Sequence, residues 1–141
     1  MSRALLFATA ATADGGAAAL LDAGDGCLAE RLAADLTALG IDEITVVARP
    51  AWVEALAARG LRVVASAGTA TDLGHVEDAA ASGGSVLLAA ADVVAHRAAL
   101  GRIARSGVRS TSAAVQTGPA AAGGAYPQPV LRQRDMVISV G

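Results

Sequence analysis

The chain has 141 residues, a formal net charge of −2 and only three aromatic residues, Phe7, Trp52 and Tyr126. That length suits one domain, and so few rings and so little positive charge exclude a phosphate-tracking face or a base-stacking platform, so nucleic acid is not an expected partner. All 11 basic residues are Arg; with no lysine the chain has neither a Schiff-base amine nor a P-loop.

Alanine fills 37 positions, and Leu, Ile, Val and Phe fill 34 of the 141, above the roughly one-fifth below which chains tend to be disordered. A core is therefore expected, built from small side chains on closely approaching elements. Cys27 is the single cysteine, which excludes an internal disulfide and a cysteine metal cluster. No apolar run reaches the about 18 residues of a membrane span, so this segment is expected to be cytoplasmic and without membrane contact of its own.

In chain order, Ala4-Leu5-Leu6-Phe7-Ala8 predicts a first buried strand, followed by an irregular segment, residues 9–26, rich in Thr, Ala, Asp and Gly. Long irregular segments are uncommon unless they bind something. Asp25 is placed to cap a helix with Leu28, Leu32, Leu36 and Leu39 on one face and Gly40 as its stop. Residues 43–48 form the second strand; Pro50 suits the first turn of a helix packed through Trp52, Val53 and Leu56, and Gly60 ends it. Residues 61–65 make a shorter third strand. Gly68-Thr69-Ala70 opens a helix in which Thr69 and Asp72 have capping-box spacing, with Leu73 and Val76 inward and Gly83-Gly84 closing it.

The run Ser85-Val86-Leu87-Leu88-Ala89-Ala90-Ala91-Asp92 is the stretch around which the rest is organised: uncharged, of strand length, and ending at a carboxylate. It reads as a central strand buried on both faces of a parallel sheet. Its carboxyl end is where open α/β sheets place ligands. Asp92 is thus either a metal or hydroxyl ligand or the N-cap of a helix over residues 96–105. That helix packs through Ala99, Leu100 and Ile103, and residues 111–116 resemble a further strand. Four strand–helix alternations predict a parallel sheet with right-handed crossovers. Residues 117–129 read as an exposed loop arching over the strand ends near Asp92. Residues 130–134 and 136–140 read as two short strands, too poor in buried positions to stand alone, and are expected to join the main sheet as a mixed edge. The sequence stops at Gly141 within that pattern, so the domain is expected to be cut there and its open edge covered by a second copy in a homodimer.

Gly24-Asp25-Gly26-Cys27-Leu28-Ala29 matches G-x-G-x-x-A, yet about fifteen residues separate it from the first strand, whereas a Rossmann turn must follow its strand directly. His75 and His96 lack a G-x-S-x-G elbow and read as helix-surface residues. Cys27 reads as a small apolar contact.

The order of parts resembles the nucleotidyltransferase-like fold of the sugar-1-phosphate and molybdenum-cofactor nucleotidyltransferases (glycosyltransferase A type). The shared parts are a strand, a small-residue loop, the Gly40-Ile41-Asp42-Glu43-Ile44-Thr45-Val46-Val47 strand, the Gly68-Thr69-Ala70 helix start and a strand ending in Asp92. The Ala-rich, Lys-free version is similar to the N-terminal domain of CDP-alcohol phosphatidyltransferase-type proteins. The resemblance implies a three-layer α/β/α Rossmann-like fold. It also implies nucleotide binding by Ala8, Thr9, Thr12, Asp14, Gly15 and Gly16, a base or ribose contact at Gly68 and Thr69, and Mg²⁺ on Asp92. A nucleoside triphosphate or CDP-linked small molecule is the implied ligand, and fusion to a membrane domain the implied context. The chain departs from the family where its loop is Ala- and Thr-rich, where Ala19-Leu20-Leu21-Asp22 stands in the region of the family's lysine, and where Ala91 replaces the usual Gly.

Three functions stay open on this reading. The first is a degenerate nucleotidyltransferase-like domain acting as a regulatory or assembly module of a phospholipid-related transferase. The second is an active Mg²⁺-dependent nucleotidyltransferase, and the third a dinucleotide- or S-adenosylmethionine-binding Rossmann domain. The first is preferred, because loss of the cationic partner of a developing phosphate charge costs several kcal/mol of barrier.

Overall fold

The computed structural model describes residues 3–104, 130–133 and 136–139. The chain divides into two compact units, Met1–Val94 and Ala95–Gly141.

The first unit is an open α/β fold. Strands β1 (Arg3–Ala8), β2 (Glu43–Ala48), β3 (Val63–Ala65) and β4 (Val86–Ala90) alternate with helices α1 (Leu28–Ala38), α2 (Pro50–Ala57) and α3 (Thr69–Ala81). All strand pairs are parallel, in the order β3-β2-β1-β4. The register pairs Leu6 with Val46 on one side and with Ala89 on the other. Continuous apolar runs put β1 and β2 in the interior, and Leu5, Leu6, Val46 and Val47 are buried, as are Leu32, Leu36, Ile41, Leu56 and Val76. Buried alanines such as Ala4, Ala8, Ala29, Ala48 and Ala91 supply the small contacts expected from the composition. This is the fold class of a Rossmann-like parallel sheet, as the strand and helix periods predict.

Several local expectations are corrected. Among the described residues β1 and β2 are the strands paired on both sides, while β4 pairs only with β1 and buries only Leu87. The segment between β1 and α1 is not irregular throughout. A single 3₁₀ turn at Ala18–Leu20 and the bridges Ala11–Ala17 and Asp22–Cys27 fold it back on itself, and Ala17, Ala18 and Ala19 are buried.

The helix caps also differ. Cys27, not Asp25, caps α1; the Glu30 carboxylate accepts the Cys27 N–H at 2.6 Å, a capping box with a thiol where Ser or Thr is usual. Gly68, in extended conformation, is the N-cap of α3, and Asp72 turns away from the cap. Asp92 caps nothing, because the next helix begins five residues later.

In the second unit, α4 (Arg97–Ala104) has a histidine at its entry: His96 Nδ1 accepts the Ala98 N–H at 3.2 Å. Strands β5 (Val130–Gln133) and β6 (Met136–Ser139) pair antiparallel, Val130 with Ser139 and Gln133 with Met136. The expected mixed edge is therefore corrected: these strands form a two-stranded sheet of their own. Two strands this close in sequence meet at far lower loop-closure cost than either would in reaching another sheet. The expected strand at 111–116 and loop at 117–129 lie outside the described residues. No helix among the described residues is long and apolar enough to cross a membrane.

Candidate functional site

Strand order determines where a ligand can enter. From β1 the chain moves through β2 to β3 on one side, then returns past β1 to β4 on the other. The crevice outside the carboxyl ends of β1 and β4 is therefore the topological switch point. Phe7 pairs with Ala90, and the Ala91 N–H reaches the Phe7 carbonyl at 2.9 Å. Two positions beyond that pair stand Thr9 on one strand and Asp92 on the other. The sequence thus placed Asp92 and the start of the loop at the same sheet edge, as the structure does. Asp92 is half-buried and its carboxylate carries no hydrogen bond or ion pair among the described residues.

The loop itself is closed by its own groups. The Thr12 N–H donates to the Gly16 carbonyl at 2.7 Å, and the Gly15 N–H to the Thr12 carbonyl at 3.0 Å. The Gly16 N–H donates to Asp14 Oδ1 at 3.2 Å, and the Thr12 hydroxyl also donates to that oxygen. Gly15 sits at φ +87°, in the left-handed region that favours glycine. The Thr12 hydroxyl first, and then the Gly16 N–H, hold the Asp14 carboxyl below the usual range. A loop cradles phosphate when its N–H groups converge on an empty concavity. Here the Gly16 N–H faces a carboxylate of the loop's own.

Gly68 and Thr69 follow β3, three strand spacings from β4, or about 14 Å. The structure therefore does not bring them to Asp92, and a ligand touching both must span the edge. Between them lies a cluster that sequence reasoning missed. Arg49 follows β2, Ser66 follows β3, and Asp72 lies in the first turn of α3. Arg49 Nη1 and Nη2 donate to Asp72 Oδ1 and Oδ2, each at 2.8 Å, and Nη1 also reaches the Ser66 carbonyl at 3.1 Å. Ser66, 1% exposed, donates its hydroxyl to Asp72 Oδ1 at 2.5 Å. Burial alone raises the Asp72 carboxyl, but the Arg49 and Ser66 hydrogen bonds and the nearby charges of Arg49 and His75 outweigh it and hold the group low. His75 Nε2 lies 3.3 Å from the Ala65 carbonyl. The available signal was positional: a polar residue immediately after each of two neighbouring parallel strands.

The remaining candidates resolve into local structure. Gly24 and Gly26 lie at φ +100° and +145°, and a Cβ on Gly26 would come within 2.7 Å of Glu30 Oε2, so their spacing serves the α1 cap. Cys27 is buried at that cap. Among the described residues no three His, Cys, Asp or Glu side chains gather as a metal site. Asp92 alone meets only the minimum that Mg²⁺ accepts, one carboxylate with phosphate oxygens completing the shell.

No protein-family model, no curated protein and no solved structure matches the chain.

Proposed function

We propose that this chain is a non-catalytic nucleotidyltransferase-like domain. It binds a nucleoside triphosphate or CDP-linked small molecule weakly and serves as a regulatory or assembly module of a CDP-alcohol phosphatidyltransferase-type protein. The reading includes a three-layer α/β/α arrangement. The strand order supports it: with right-handed crossovers, β1 to β2 to β3 running one way would put α1 and α2 on one face, and β3 to β4 running back would put α3 on the other.

The observation that carries the proposal is the pattern of charge at the carboxyl edge. The loop has no basic residue between Arg3 and Arg31 and holds Asp14 at its turn. Arg49, which follows β2 directly, has both terminal nitrogens committed to Asp72. Among the described residues, the loop and the end of β2 thus offer no uncommitted cation to offset the charge that develops on a transferring phosphoryl group, and typical losses of this kind cost several kcal/mol of barrier. Asp92, at the switch point with no hydrogen bond or ion pair among the described residues, is the residue that would hold Mg²⁺. The metal would supply a bridge between phosphate oxygens and the protein.

The test is thermal denaturation with CTP, GTP, UTP or ATP and Mg²⁺. A bound nucleotide at 100 times its Kd adds about 2.7 kcal/mol of stability. The proposal requires a rise in Tm that vanishes without Mg²⁺ and in Asp92→Ala; an unchanged Tm with all four nucleotides removes its support. The order β3-β2-β1-β4 also favours a second reading, since it matches four of the six strands of the dinucleotide-binding order 3-2-1-4-5-6. NADH or S-adenosylmethionine raising Tm without Mg²⁺ selects that reading instead.

A further inference from the structure

The Arg49–Asp72–Ser66 cluster ties the end of β2 to both the end of β3 and the first turn of α3. β3 has three residues, lies at the sheet edge and pairs with β2 through only Val46–Val63, Val47–Val64 and Ala48–Ala65. Its valines are half-buried and its last residue is exposed. α3 buries only Val76 and Ala79 of its 13 residues and has no side-chain cap. By contrast β1 is paired on both sides, and Ala4, Leu5, Leu6 and Ala8 are buried.

Glycines bracket this edge. Gly60 at φ +80° precedes β3, Gly83 and Gly84 at φ +81° and +83° follow α3, and a Cβ on any of the three would meet nothing within 4 Å. Glycine pairs of this kind absorb dihedral change at low cost. Between these hinges, Ser66 and Asp72 belong to the β3–α3 segment and Arg49 to the end of β2. Among the described residues, two side-chain links besides the clasp run from the segment to β1 and β2. Arg3 Nη1 donates to the Ala79 carbonyl at 3.1 Å, and Arg62 meets Glu43 at 3.8 Å with both side chains largely in solvent. The second is a weak surface pair. The Arg49–Asp72 pair is bidentate, with side chains 24% and 14% exposed, and is the strongest of the three.

We infer that residues 61–82 form a latched unit: the Arg49–Asp72–Ser66 clasp holds β3 and α3 on the sheet, and its release lets them swing away about Gly60 and Gly83-Gly84 while β1, β2 and β4 stay folded. Opening bares the outer edge of β2, with the N–H and C=O groups of Val46 to Ala48 that β3 had covered. The clasp is thus a conformational device placed at the same sheet edge as Asp92, and it operates whether or not a nucleotide binds there.

Native-state hydrogen exchange on the 141-residue chain tests this, comparing wild type with Asp72→Asn and with Arg49→Lys, which keeps the charge and loses the fork. The latch predicts that amides of residues 63–81 exchange at least about tenfold faster in Asp72→Asn, as loss of a partly buried bidentate pair implies. Those of Leu5 to Ala8 stay slower than residues 63–81 in wild type and variant and keep a steeper urea dependence of exchange, and Arg49→Lys falls between. One opening free energy and one urea dependence shared by residues 63–81 and Leu5 to Ala8, or no acceleration at residues 63–81, overturns the inference. If Asp72→Asn fails to fold, Arg49→Lys makes the same comparison, and failure of both to fold also overturns it, since the pair would then support the whole unit.

Discussion

Arg49 and Asp72 face each other as a fork and a carboxylate, two hydrogen bonds of 2.8 Å joining the end of β2 to the first turn of α3. Because the Asp72 carboxyl sits below its ordinary value of 3.8 in the folded chain, its contribution to stability is complete above that value and is lost as pH falls through the lower folded value. Asp14 and Glu30 are also held low, so acid sensitivity belongs to more than one group. The informative quantity is the difference between wild type and Asp72→Asn in urea unfolding. The variant is expected to lose about 2 kcal/mol at pH 7, with the gap closing at strongly acid pH. A gap unchanged down to acid pH would remove the ion pair from the account.

Glycines separate two kinds of position. Gly26→Ala should cost about 1–3 kcal/mol, since φ +145° disfavours a side chain and the new Cβ meets Glu30 Oε2 at 2.7 Å. Gly74→Ala, inside α3 with nothing within 4 Å, should add about 0.5–1 kcal/mol. Chemical denaturation of the two variants checks both signs. Opposite signs to these would show that the α1 cap or the α3 backbone is wrongly placed.

Element type and order were legible because alanine-rich composition leaves the large apolar residues as markers: Leu5 and Leu6, Val46 and Val47, and the Leu32–Leu36 spacing all point inward as their periods predict. Sheet order was not legible, since Val86 to Ala90 is as apolar as an interior strand and only its pairing shows it beside β1 alone among the described residues. Caps were misread for a physical reason. Asp25 and Asp72 have the right chemistry, but Cys27 with Glu30 satisfies the α1 terminus, and Asp72 gains more from the half-buried fork of Arg49 than from a backbone amide. The placement of Asp92 beside the loop came from a rule about sheet edges, and the internal closure of that loop around Asp14 depends on short-range hydrogen bonds that no spacing reveals.

Closure of the loop makes a prediction about anions. Asp14→Gly removes the carboxylate that accepts the Gly16 N–H and the Thr12 hydroxyl, so those donors become free to face a phosphate. Pyrophosphate binding followed by titration calorimetry should be stronger in Asp14→Gly than in wild type. Equal binding would mean that the carboxylate does not block the loop.

The central claim, a nucleotidyltransferase-like domain without catalysis, is tested most directly by a pyrophosphate-release assay on the 141-residue chain with nucleoside triphosphates, Mg²⁺ and sugar, inositol or glycerol phosphates. With no basic residue between Arg3 and Arg31 and with Arg49 committed to Asp72, the account predicts release at background. Metal-dependent turnover that disappears in Asp92→Asn would contradict it.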